Sequence, residues 1–253
     1  MRAPVDTIVA PLFPTGLPWV NAPSSGASTI QRGRPMLVEF WDFCRPNSIR
    51  TLPYVKALHE RYSPDGLRVI GVHCPGFEAS REEHAVRDAV ARLDIAHPVL
   101  IDSELEVWQE YENQGWPARY LFDGRARLFE YHYGEGAYAE TELAIQELLG
   151  VQREPLAPLR PEDAPGATLA PQTADQQGPY SGAYEAGGVW AVLDGDGTVR
   201  VSASDDADAR ELRVTHPGAY PLMEHDRHTL GVVNVEIGTG VSCLATCFTP
   251  GVV

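Results

Sequence analysis

The stretch from Leu37 to Tyr54, LVEFWDFCRPNSIRTLPY, constrains this chain more than any other. Leu37, Val38, Phe40 and Trp41 predict a short buried strand. A polar corner runs from Asp42 to Ser48, and apolar residues then recur at Ile49, Leu52, Val55 and Leu58 with a helical period. Pro53 lies inside that helix, where a proline removes a backbone donor and bends the axis. The stretch is therefore a strand, a cysteine-bearing corner and a kinked helix.

The alternation continues downstream. Ser63-Pro64-Asp65-Gly66 is a turn by composition, and Leu67 to His73 (LRVIGVH) reads as a second buried strand in which Gly71 permits close approach. Cys74-Pro75-Gly76-Phe77 makes the next corner. A helix is expected over residues 81–93, with Val86, Ala89, Val90 and Leu93 on one face. Val99 to Ile101 is a short strand, Leu105 to Tyr111 a helix, and Trp116-Pro117 leads into strand Ala118 to Phe122. Asp123-Gly124 is a hairpin turn, residues 127–133 pair back, and residues 140–149 form a closing helix. Strands alternating with helices and finished by a hairpin predict an α/β domain over residues 1–150, preceded by an irregular, proline-rich lead-in to about residue 30. Leu12-Phe13 and Trp19-Val20 are expected to pack the lead-in onto the domain.

Residues 151–178 hold five prolines and little apolar content, which is linker composition. From residue 179 to 253 the pattern is short strands bounded by glycine and aspartate turns: 189–193, 198–203, 211–215, 219–223, 230–237 and 241–249. Regularly spaced short strands predict a small all-β sandwich.

A net charge of −15 and a pI near 4.9 argue against binding a nucleic-acid backbone. No apolar run approaches the roughly 18 residues needed to span a bilayer. The N-terminal residues lack the pattern of a signal peptide, so a cytoplasmic location is expected. There the four cysteines (Cys44, Cys74, Cys243, Cys247) would be thiols unless catalytic or metal-bound. Neither a metal nor a cofactor is expected.

The FW…SIRTLPY block, VIGVHCPGF, the Trp116-Pro117 dipeptide and YLFDGRARL with its GEG loop together resemble the thioredoxin superfamily. Within it they resemble the thiol-disulfide oxidoreductases of the TlpA and DipZ kind, whose members often continue into a β-sandwich similar to a carbohydrate-binding module. The resemblance implies a nucleophilic cysteine at the helix N-terminus, where the helix dipole stabilises a thiolate, and a second cysteine three residues on. Ungapped from Phe40-Trp41 to Pro53, those positions hold Arg45 and Ser48, so the CxxC motif is not intact. Cys44 falls one position early; Arg45 beside it favours a thiolate. Cys74 closes the second strand, on the same sheet edge as Cys44, and would pair with it if their Cα atoms came within about 7 Å. His73 next to Cys74 raises a copper-chaperone reading, but two cysteines on separate corners and one histidine are a weak ligand set. The resemblance further implies a cis peptide bond before Pro117, which would orient bound peptide, with Trp41 walling the site.

In the tail, Cys243 and Cys247 lie on one predicted strand, facing the same way about 13 Å apart, and read as core residues. His225 and His228 read as turn and strand-entry residues. Tyr180, Tyr184 and Tyr220 are candidate sugar platforms, whereas Trp190 reads as core. The sandwich would otherwise brace the first domain or mediate homodimerisation.

Two functions follow. One is an atypical thiol oxidoreductase, acting in thiol-disulfide or peroxide chemistry. It would use Cys44, with Cys74 or an external thiol reductant completing the cycle on a protein or small-molecule substrate. The other is a redox-inactive peptide-binding protein using Trp41, Arg45, Ser48, His73, Trp116 and Pro117, with the sandwich as a recognition module. The first requires an accessible thiolate at Cys44.

Overall fold

The computed structural model describes residues 1–2, 7–22, 31, 33–203 and 209–253; the remainder of the expected lead-in lies outside the described residues. The chain divides into two compact units, one made of Met1–Phe43 and Asn47–Leu156, the other of Ala157–Val253 with Cys44–Pro46.

The first unit is built on β2 (Met36–Trp41), buried along its whole length. β3 (Arg68–His73) lies parallel on one side of it and β5 (Ala118–Phe122) antiparallel on the other. With β1 (Trp19–Val20), β4 (Val99–Ile101) and β6 (Leu128–Tyr133) the sheet order is β1-β4-β3-β2-β5-β6. The helices are α1 (Pro46–Tyr62), α2 (Glu83–Arg92), α3 (Glu106–Glu110) and α4 (Tyr138–Leu149).

Alternation along β2 sends its side chains to two cores. Val38 and Phe40 join Ile70, Val72, Tyr111 and Tyr120 on one face. Leu37 joins Val69, Leu121, Val55 and Leu58 of α1, and Ala144 and Ile145 of α4, on the other. Gly71, opposite Glu39 on β3, makes room on this second side, since an added Cβ would sit 3.0 Å from Trp41 Nε1 and 3.3 Å from His97 Nε2. The thioredoxin-like arrangement expected from the strand and helix order is the one observed.

The described residues of the lead-in make more backbone pairings than composition suggests. β1 pairs antiparallel with β4, and residues 2 and 9 bridge to Glu130 and Arg127 beside β6. Two residues are too few to show a period, and prolines masked the strand signal. Within the expected linker, the Leu156 amide donates to Glu142 Oε2 at 2.6 Å, fastening that end to α4. Further on, Ala170 and Thr173 donate backbone hydrogen bonds to Gly251 and Glu185 in the second unit.

The second unit is an antiparallel sandwich of six strands: β7 (Gln176–Gln177), β8 (Gly182–Gly195), β9 (Gly197–Ser202), β10 (Arg210–Val214), β11 (Gly218–Ile237) and β12 (Val241–Thr249), in the order β10-β9-β11-β8-β12-β7. Three expectations need correction. Residues 219–223 and 230–237 are not separate strands; they are the two ends of β11, which absorbs the polar EHDRHT segment through register shifts against β8, so His225 and His228 lie in a strand. A further shift between Cys243 and Ala245 reverses the alternation of β12, so Cys243 packs on the inner core and Cys247 faces the other way. Tyr184 and Tyr220 are buried in the core and offer no exposed platform, while Trp190 is buried as expected. No helix among the described residues is long and apolar enough to cross a membrane.

Candidate functional site

The C-terminal ends of β2, β3 and β4 meet at one edge of the first sheet, and the cis peptide between Trp116 and Pro117 closes against them. Register puts Trp41 beside His73, and the Cys74 amide donates to the Trp41 carbonyl at 3.0 Å. His73 is buried between two aromatic rings, stacked on Phe43 at 5.1 Å and edge-on to Trp41 at 5.2 Å. Its Nε2 is 3.5 Å from Asp42 Oδ1.

Two buried aspartates organise the corner. Asp42 Oδ2 accepts from the Gly76 amide at 2.8 Å, clamping the β2 corner to the β3 corner. The Asp42 amide in turn donates to Ser48 Oγ at 3.2 Å, so Ser48 closes the turn into α1 as a buried acceptor. Asp102, just past β4, donates its amide to the His73 carbonyl and accepts from the Trp108 amide through Oδ2. The same Oδ2 accepts from the Cys74 thiol at 3.3 Å.

The cis-proline loop is fixed to the Cys74 corner by a side chain. Trp116 Nε1 donates to the Cys74 carbonyl at 2.9 Å, and its ring lies against Trp108 at 4.3 Å. The Pro117 carbonyl accepts from the Gly134 amide at 2.8 Å.

Of the expected site residues, the structure thus brings Trp41, Ser48, His73, Cys74, Trp116 and Pro117 into one connected group. Arg45 directly precedes α1 and is half-buried. Cys44 is 0% exposed. Burial, then the charge and hydrogen bond of Asp102, then the charge of Asp42, push the Cys74 thiol well above its ordinary range. All four cysteines are thiols. Among the described residues no group of three or more His, Cys, Asp and Glu side chains is arranged as metal ligands. Sequence reasoning missed Asp42, Asp102 and Trp108. The first two follow buried strands directly, in FWD and LID, and that position was the available signal.

Beneath the corner, Glu39 and Arg119 face each other across β2 and β5, both buried. Burial pushes Glu39 up to about 8, with Arg119 opposing the shift.

A strand–corner–helix unit at the centre of a mixed sheet, with a cis-proline loop against it, defines the thioredoxin-like class, the fold of thiol-disulfide oxidoreductases. Comparison with known proteins agrees with that class. Over 163 residues the chain is 32% identical to protein DipZ of Mycobacterium tuberculosis, an alignment covering 61% of this chain and 24% of DipZ. It is 26% identical over 131 residues to the thiol-disulfide oxidoreductase YkuV of Bacillus subtilis, covering 52% of this chain and 87% of YkuV. Among solved structures, a thioredoxin-like superfamily protein aligns over 58% of this chain and 100% of its own, with a TM-score of 0.52 at 20% identity. The chain therefore spans about a quarter of the length of DipZ. No protein-family model matches it.

Proposed function

We propose that this chain is a thioredoxin-fold protein of the thiol-disulfide oxidoreductase class that binds an extended peptide or protein segment against Trp116 and Pro117 and does not run two-thiol exchange at the β2–α1 corner. The observation that carries this reading is that neither cysteine of the corner offers an accessible thiolate. Cys44 has no exposed surface, and the buried Cys74 thiol keeps its proton and donates a hydrogen bond to a buried carboxylate. A thiol must be both ionised and reachable to attack a disulfide. The binding apparatus, by contrast, is braced on three sides by the Trp116–Cys74, Trp116–Trp108 and Pro117–Gly134 contacts. Four thiols and no disulfide suit a reducing compartment, and a cytoplasmic location belongs to this proposal.

A second reading has its own support. Cys44 stands two residues before Pro46, where α1 begins, and Arg45 lies beside it in sequence. There its thiolate would attack a substrate disulfide, form a mixed disulfide and release the other sulfur as a thiolate; an external thiol would then resolve the adduct.

Alkylation of the intact protein across pH, with Cys44→Ser and Cys74→Ser as controls, separates the two. The binding reading expects Cys44 to react only on unfolding, and Pro117→Ala to weaken capture of unfolded polypeptide by the native protein. Rapid labelling of Cys44 below the ordinary thiol range of about 8.5 would replace it with the single-thiol reading.

A further inference from the structure

Away from the corner, a cavity of about 550 Å³ opens between the end of α3, the β5–β6 hairpin and the lead-in. Tyr111, Tyr120, Tyr131 and Tyr133 line it, and Glu110 and Glu112 stand exposed at its rim. No lysine, arginine or histidine is among its described lining residues.

The wall is a built one. The Tyr120 hydroxyl donates to Asn113 Oδ1 at 2.8 Å and lies 3.4 Å from the Tyr133 hydroxyl. Successive rings meet edge to face: Tyr111 with Tyr120 at 5.8 Å, Tyr120 with Tyr133 at 6.0 Å, and Tyr131 with Tyr133 at 5.6 Å. Tyr111 and Tyr120, both buried, are thus held by their neighbours, and Tyr131 and Tyr133 extend the row toward solvent.

We propose that this cavity binds a small aliphatic amine in its ammonium form. The faces of aromatic rings carry negative potential and attract cations. Two carboxylates at the mouth add to that attraction; among the described residues the nearest cation to the tyrosine wall is the Met1 ammonium at the Tyr131 carbonyl, and it is already paired with Glu130. An anion such as a phosphate ester would meet repulsion from both glutamates, and a neutral apolar ligand would leave that field unused. The apolar bodies of the tyrosines accept the methylene chain. The volume falls within the range of small-molecule sites, roughly 300–1,000 Å³. Its lining includes neither Trp116 nor Pro117, and the proposal does not depend on the function proposed there.

Calorimetric titration of the intact protein with n-pentylammonium, 1-pentanol and pentanoate tests the proposal. Saturable binding of the amine alone is expected, weakened about tenfold in the Glu110→Gln/Glu112→Gln double variant and weakened by raised salt. Tyr133→Leu, at an exposed position, is expected to reduce binding while leaving the unfolding midpoint within a few degrees. Absence of saturable heat, equal binding of pentanol, or an unchanged affinity in the double variant would overturn it. Binding of N-acetyl-lysine amide without binding of n-pentylammonium would also overturn it, by assigning the cavity to lysine side chains of a polypeptide.

Discussion

Asp102 decides what Cys74 can do. Burial, together with a carboxylate that accepts the thiol's hydrogen bond, holds the sulfur in its protonated form. Asp102→Asn removes that charge, so the Cys74 thiolate absorbance is expected to appear at lower pH than in the parent. A parent-like titration would leave burial and the Asp42 charge responsible. Glu39 and His97 act on stability with opposite signs. Glu39 has a folded pKa near 8 against an ordinary 4.5, so the folded state holds the extra proton and stability falls as pH rises from 4.5 to 8. Burial, with His59 and Lys56 nearby, drops His97 from 6.5 to about 3, so stability falls as pH drops from 6.5 to 3. Above pH 6.5 only the Glu39 limb remains of the two, and Glu39→Gln should flatten urea midpoints between pH 6.5 and 8. A limb of unchanged slope would assign the loss to another group. Little of this was legible in the sequence. Trp41, His73, Cys74, Trp116 and Pro117 stand out as residue types at strand ends, whereas Asp42 and Asp102 look like ordinary turn residues until the fold brings partners to their oxygens.

At the scale of elements, legibility followed the clarity of the period. α2 (Glu83–Arg92) fell within the expected 81–93, and β4 (Val99–Ile101) and β5 (Ala118–Phe122) have the expected ends, because their apolar runs are sharply bounded. β11 and β12 were misread because a bulge changes which face a residue occupies without leaving a mark in composition. Just past the end of β12 the chain packs closely on a glycine inside β8. A Cβ at Gly187 would run into the Pro250 carbonyl and lie 2.8 Å from Gly251 Cα. Gly187→Ala is therefore expected to cost the sandwich about 1–3 kcal/mol or more, read from its denaturant midpoint. An unshifted midpoint would mean that the segment at Pro250 moves aside without loss.

The whole molecule has a separate apolar core in each unit, one on either face of the first sheet and one inside the sandwich. Units with their own cores unfold as their own cooperative steps. Calorimetry of the full chain is expected to show two transitions, with Gly187→Ala lowering one and leaving the other in place; a single transition moved as a whole would show that they unfold together. The division into two classes of architecture was readable because the change from mixed to purely β patterning coincides with a proline-rich stretch. The attachment of both ends of that stretch was not readable, because it rests on hydrogen bonds donated by backbone amides, which carry no side-chain signature. The lead-in carries one more consequence. Met1, Arg2 and Val9 run beside β6, where Met1 accepts from the Tyr131 amide and Ile8 from Leu128, and β1 covers β4 at the opposite border. A bare border of a sheet is a template on which a second molecule can lay its own strand. Hemmed in this way, the first sheet has little border on which such stacking could start, and crowded copies of the chain are kept from knitting together through it.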